Sequence, residues 1–97
     1  MSESVERGFT VRSELGLHAR PAGEFVIMAG RFESEISVGN GREWVDGRSV
    51  LSLLSLAAGR GVELRVRAIG EDAEEAVTAL GALIERSHAE IENSAAG

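Results

Sequence analysis

From Val62 to Ala68 apolar and polar residues alternate without a break, with Val62, Leu64, Val66 and Ala68 on one side and Glu63, Arg65 and Arg67 on the other. Successive side chains of an extended chain point to opposite faces, so this period predicts a strand with one covered face and one wet face. The same period marks Val5 to Arg12, with Phe9 and Val11 turned inward and Thr10 and Arg12 outward. It returns from Phe32 to Val38, where Phe32, Ser34, Ile36 and Val38 share a face against Glu33, Glu35 and Ser37. Asn40-Gly41 follows, a pair that suits the positive φ angles of a tight hairpin. Arg42 to Asp46 is then the return strand, and its pattern does not say which face Trp44 takes.

Between these stretches the period changes to that of a helix. Ala22, Phe25, Val26 and Ala29 fall at i, i+3, i+4 and i+7, which predicts a helix over Ala19 to Ala29 with one apolar stripe. Pro21 sits in its first turn, where a missing N–H costs nothing, and Gly30 is a plausible stop. Ser49 to Ala57 reads as a short apolar helix, and Gly59 and Gly61 bracket the turn after it. Glu71 to about Glu92 is the longest helix, with Ala73, Ala76, Val77, Leu80, Leu83 and Ile84 as its buried stripe. Glu71, Asp72, Glu74 and Glu75 crowd its start, where negative charge suits the macrodipole. Asn93 to Gly97 reads as a frayed tail.

The order β-α-β-β-α-β-α is the split βαβ pattern with one extra helix. It predicts an α+β fold: an open-faced two-layer sandwich with a four-stranded antiparallel sheet and three helices on one face. The 97 residues fit a single domain, 1–97, with an ordered core of about 5–92.

Composition narrows the function classes. Apolar residues make up 43% of the chain, too many for a disordered one. The net charge is −6 and all ten basic residues are arginines, spread from Arg7 to Arg86 without a cluster. An acidic chain with three Phe, one Trp and no Tyr argues against nucleic-acid binding. No cysteine is present, which removes thiolate nucleophiles and thiolate metal sites and fits a reducing compartment. No window approaches the roughly 18 apolar residues of a membrane span. The opening MSESVERGF has neither the basic nor the apolar region of a signal peptide. A cytoplasmic protein without membrane insertion is expected.

The chemistry gathers at Gly16-Leu17-His18-Ala19-Arg20-Pro21-Ala22. His18 stands at the mouth of the first helix, where the leading N–H groups lack partners and the macrodipole is positive, the ingredients of an anion site. The amides of Ala19 and Arg20 point toward the space beside the ring, and Pro21 donates nothing. The Arg20 guanidinium adds a fork that suits phosphate oxygens. A neutral imidazole is nucleophilic through its unprotonated ring nitrogen. Such a ring could carry a phosphoryl group, or it could be a solvated or capping residue, and the residues alone leave both open. Ser49 likewise reads as a favoured helix cap. Six Val, Leu or Ala between Ser49 and Ala57 exceed what one helix face can bury, so some are expected at the surface. His88 has no second histidine, cysteine or paired carboxylate at ligand spacing, so neither a metal nor a cofactor is expected. No Ser-His-Asp arrangement and no Gly-rich phosphate loop is present.

The G-L-H-A-R-P-A segment closely resembles the active-site motif of the HPr family, the histidine-containing phosphocarriers of the bacterial phosphoenolpyruvate:sugar phosphotransferase system. The resemblance extends over nearly the whole chain and includes the element order. Arg48 to Leu56, R-S-V-L-S-L-L-S-L, is similar to the family's regulatory segment, and Ser49 occupies the position of its regulatory serine. The resemblance implies that His18 carries phosphate on Nδ1, received from enzyme I and passed to an enzyme IIA domain, with Arg20 and the Ala19 and Arg20 amides steadying it. It implies a carrier consumed and regenerated as a co-substrate, not an enzyme, and a monomer. Ser49 would be phosphorylated by a dedicated kinase, HPr kinase/phosphorylase. Leu17, Val50, Leu51 and Leu54 are the expected partner-binding surface.

Three features depart from the family pattern. Leu15 stands where many members have Asn or Ser. Gly23, Glu24, Ile27 and Gly30 replace the lysines often found along the first helix. The chain is also somewhat longer at both ends. The alternative reading is therefore a regulatory paralogue, of a nitrogen-related branch or an adaptor, that signals by protein binding. A module binding a small ligand or RNA on its bare sheet is a further rival, but that face would carry Thr10, Arg12, Glu33, Glu35, Ser37, Glu63, Arg65 and Arg67 and offer few aromatics for stacking.

Overall fold

The computed structural model describes residues 3–86. Its elements are β1 (Glu3–Thr10), α1 (Ala19–Ala29), β2 (Glu35–Gly39), β3 (Trp44–Asp46), α2 (Val50–Ser55), β4 (Glu63–Gly70) and α3 (Ala73–Glu85). The order is the one expected, and α1 has the expected bounds. The continuation of α3 to Glu92, His88, the tail from Asn93 and the outer limits of the ordered core lie outside the described residues.

The strands form one antiparallel sheet in the order β1-β4-β2-β3, so the last strand in sequence lies between β1 and β2. Val66 of β4 is paired with Arg7 on one side and Val38 on the other, and Ala68 with Val5 and Ile36. This register brings Leu64, Val66, Ala68, Ile36 and Val38 onto one buried face. The three helices cover it. Phe25 and Ala29 from α1, Leu53 from α2, and Ala76, Val77, Leu80 and Ile84 from α3 complete the core. α3 approaches β1 so closely that a Cβ at Gly81 would overlap the Phe9 ring.

The structure moves several boundaries: β1 is Glu3–Thr10 against the expected Val5 to Arg12, α2 is Val50–Ser55 within the expected Ser49 to Ala57, and α3 begins at Ala73, two residues after Glu71. Phe32 to Ser34 are not in β2. The Asp72 carboxylate accepts the N–H groups of Glu33 and Ser34 at 2.8 and 3.0 Å and the Ser34 hydroxyl at 2.5 Å. Arg48 Nη2 donates to the Phe32 and Ser34 carbonyls at 2.6 and 3.1 Å. Side chains thus take the backbone groups a strand would have paired. The Ser34 hydroxyl, then the Glu33 amide, hold the Asp72 carboxyl below its ordinary range. Arg42 and Glu43 are outside β3 because their N–H groups donate to the Asn40 side chain at 2.9 and 3.1 Å. Val62, expected inward, is 37% exposed because β4 begins one residue later.

The uncovered face of the sheet settles Trp44. Its ring lies against Gly39, where a Cβ would come within 2.9 Å of it. The Arg67 guanidinium stacks 4.1 Å from the ring centroid. On the same face Arg65 donates to Glu6 at 2.7 Å.

Candidate functional site

The loop that carries His18 is shaped by its neighbours in space. The Gly16 N–H donates to the Ser13 carbonyl at 2.9 Å and the His18 N–H to the Gly16 carbonyl at 3.0 Å, a tight reversal with Gly16 at φ +74°. The Leu17 N–H donates to the Ala58 carbonyl at 2.8 Å, which ties the loop to the segment leaving α2. Further back, Val11 exchanges bonds with the same segment: its carbonyl accepts from Gly61 at 2.8 Å and its N–H donates to Val62 at 2.9 Å.

His18 is the N-cap of α1, with extended backbone at φ −91° and ψ −172°. Its carbonyl accepts the Ala22 N–H at 3.0 Å, the first bond of the helix. Its side chain makes no capping hydrogen bond. The imidazole is half-buried at the helix mouth, and Ala19 and Arg20 beside it are exposed. No acidic residue lies in the first turn of α1, whereas α3 carries Glu74 and Glu75 there. The positive end of the α1 dipole is thus left without a carboxylate of its own. Pro21 is buried, and its fixed φ pre-organises this turn. The arrangement can stabilise an added oxyanion at the His18 ring.

Ser49 is the N-cap of α2, and its hydroxyl oxygen accepts the Ser52 N–H at 3.2 Å. The capping reading of Ser49 is realised, while the residue stays partly exposed. Ser49 and the His18 loop meet opposite ends of α2, the first as its cap and the second through Ala58 beyond its last turn.

Of the four apolar residues expected at the surface, Leu51 is 81% exposed, and Val50 and Leu54 are half-buried, packing partly on the core. Leu17 is a correction. It is 7% exposed and packs in the hydrophobic core, on a loop whose Leu17 N–H is tied to Ala58. In its place the structure exposes Leu15 at 72% and, on α1, Ile27 at 67%. Leu15 was missed as a surface candidate. The available signal was an apolar residue in a loop, belonging to neither the strand period before it nor the helix period after it.

Among the described residues no group of three or more His, Cys, Asp or Glu could hold a metal ion. No described helix is long and apolar enough to cross a membrane.

Residues 5–86 match the family model for the PTS HPr component phosphorylation site. The chain belongs to the HPr family. It is 45% identical over 76 residues to the phosphocarrier protein HPr of Pseudomonas aeruginosa, covering 77% of this chain and 84% of that one. It is 38% identical over 81 residues to the phosphocarrier protein NPr of Shewanella violacea, covering 84% and 89% of the two chains. The crystal structure of a phosphocarrier protein HPr from Bacillus anthracis superposes with a TM-score of 0.80 at 37% identity, over 84% of this chain and 96% of that chain. The open sheet with its helical layer is the fold of that HPr structure, as the sequence pattern predicted.

Proposed function

We propose that the protein carries a phosphoryl group on His18 between phospho-enzyme I and an enzyme IIA domain of the phosphotransferase system. The lone pair of Nδ1, in the tautomer with its proton on Nε2, attacks phosphorus. The bond from phosphorus to the donor group on enzyme I breaks as the P–N bond to His18 forms, the donor group keeping that electron pair, so no proton need leave the His18 ring. Transfer to the acceptor repeats the exchange in the opposite direction. The Ala19 and Arg20 amides and the Arg20 guanidinium hold the phosphoryl oxygens. The observation that carries this reading is the His18 ring, uncommitted to capping, at a helix end that lacks a carboxylate of its own.

The protein is a carrier and co-substrate in this reading, not an enzyme, and works in the cytoplasm without a cofactor. Partners dock on Leu15, Leu51 and the edges of Val50 and Leu54, in line with the exposure of these residues. Phosphorylation of Ser49 by HPr kinase/phosphorylase would add negative charge beside Val50 and Leu51 and weaken docking of acidic partners.

A second reading, a regulatory paralogue acting through protein binding, is favoured by the first helix. Its surface presents Ile27 and Gly23 without a lysine, so electrostatic steering from that face is small.

The test mixes the protein with phosphoenolpyruvate, Mg²⁺ and enzyme I and weighs it before and after mild acid. An acid-labile phosphoryl adduct, lost in His18→Ala, is expected. Its absence with cognate enzyme I and folded protein would sink the carrier reading. Supplying enzyme IIA domains of sugar-uptake and regulatory type separates the two branches by which one drains the phosphoryl group.

A further inference from the structure

Ala57 is the one non-glycine residue with positive φ among the described residues, at +49°. A Cβ makes this left-handed region unfavourable, yet the position is held. Ala57 follows Leu56, the C-cap of α2, and its N–H donates to the Leu54 carbonyl at 3.1 Å. Ala57 is exposed, so burial of its methyl group does not account for the position. What the residue contributes is its backbone angle.

That angle turns the chain so that the next residue, the buried Ala58, presents its carbonyl to the His18 loop. The Ala58 oxygen accepts the Leu17 N–H at 2.8 Å. Gly16 comes so near that a Cβ on it would lie 2.5 Å from the same oxygen and 2.9 Å from the Gly59 Cα. The contact is therefore backbone on backbone, immediately ahead of His18, with no side chain between to absorb a shift.

We propose that Ala57 is a positioning residue for His18. Its left-handed turn aims the Ala58 carbonyl at the Leu17 N–H, and that bond sets the direction in which the chain delivers the imidazole to the mouth of α1. Ala57 touches neither the ring nor the phosphoryl group; it acts through Ala58 and Leu17. The functional consequence rests on the carrier reading, and the geometric one does not.

Three variants test it. Ala57→Gly and Ala57→Asn tolerate positive φ, whereas Ala57→Val, branched at Cβ, resists it. Leu17 amide exchange and the His18 ring ¹⁵N shifts at fixed pH are read in each, with enzyme I-dependent phosphorylation as a third measurement. The Gly and Asn variants should match the wild type. Ala57→Val should exchange the Leu17 amide about tenfold faster, the scale of one lost backbone bond, move the ring shifts and slow phosphoryl uptake. An Ala57→Val protein with unchanged Leu17 exchange and ring shifts overturns the proposal, as does an Ala57→Gly protein perturbed as much as Ala57→Val. The first two measurements need no phosphorylation, so failure of the carrier reading leaves them decisive. Should Ala57→Val not fold, wild-type exchange against urea decides: Leu17 and Ala57 amides opening together support the coupling, and separate openings overturn it.

Discussion

Gly16→Ala is the sharpest perturbation of the His18 loop. The residue sits at φ +74°, and the added Cβ would lie 2.5 Å from the Ala58 oxygen and 2.9 Å from the Gly59 Cα. Both neighbours are backbone and cannot rotate aside. Either the variant keeps the left-handed angle at a cost of about 1–2 kcal/mol, or the loop shifts and loses the bond from Leu17 to Ala58, a net cost of about 0.5–1.5 kcal/mol. Some of each is expected. Replacing glycine also restricts the unfolded chain, which returns about 0.4–1 kcal/mol. With both costs in play the net loss should be about 0.5–3 kcal/mol, a fall in Tm of about 4–8 °C per kcal/mol for a domain of this size. Gly23→Ala is the matched control. Gly23 lies within α1 and a Cβ there would meet nothing within 4 Å, so helix propensity alone should give a gain of about 0.5–1 kcal/mol. Urea unfolding followed by far-ultraviolet circular dichroism reads both, with an unchanged m-value confirming that stability alone has moved. Opposite signs are expected. A Gly16→Ala protein within about 0.5 kcal/mol of wild type would refute the reasoning, because the Ala58 contact would then not constrain the loop.

Gly81→Ala should lower stability by up to about 2 kcal/mol, since overpacking against Phe9 outweighs the helix-propensity gain; Phe9→Leu should relieve it, and a double-mutant cycle measures the coupling. Asp72 has a folded pKa below its unfolded value, so the stability it contributes is present above the unfolded pKa of about 3.9 and is lost as pH falls through the folded one. Urea midpoints of wild type and Asp72→Asn should accordingly differ at neutral pH and converge at low pH. Leu51→Glu and Leu15→Glu, both changes at exposed positions, should leave unfolding within about 0.5 kcal/mol of wild type while raising the apparent KM for enzyme I-dependent phosphorylation of His18.

The elements were legible where a period and its punctuation agreed. α1 has an apolar stripe, a proline in its first turn and a glycine after its last residue, and its bounds came out as read. The strand starts were less legible because distant side chains decide them. Nothing near Phe32 announces that Asp72 will take the amides of Glu33 and Ser34, 39 and 38 residues ahead of it. The site divided in the same way. His18 and Ser49 stand out through local motifs, whereas Leu17 is buried by core residues distant in sequence, which reach it only in the folded chain. Trp44 could be placed only once Gly39 was found opposite it, leaving space for the ring.

The position of β4 has a consequence for how the molecule is made. This strand is the last in sequence and pairs with both β1 and β2. A chain emerging from synthesis therefore holds β1 with no neighbour, and β2 with only the three residues of β3, until Glu63–Gly70 arrives. The pairing of Glu3 with Gly70 closes a loop that holds every element except α3, the kind of distant contact that slows folding toward the millisecond range and beyond. Refolding should thus show β1 and β2 gaining amide protection in one step with β4, and chains cut short before Glu63 should show no protected strand at all in pulse-labelled exchange.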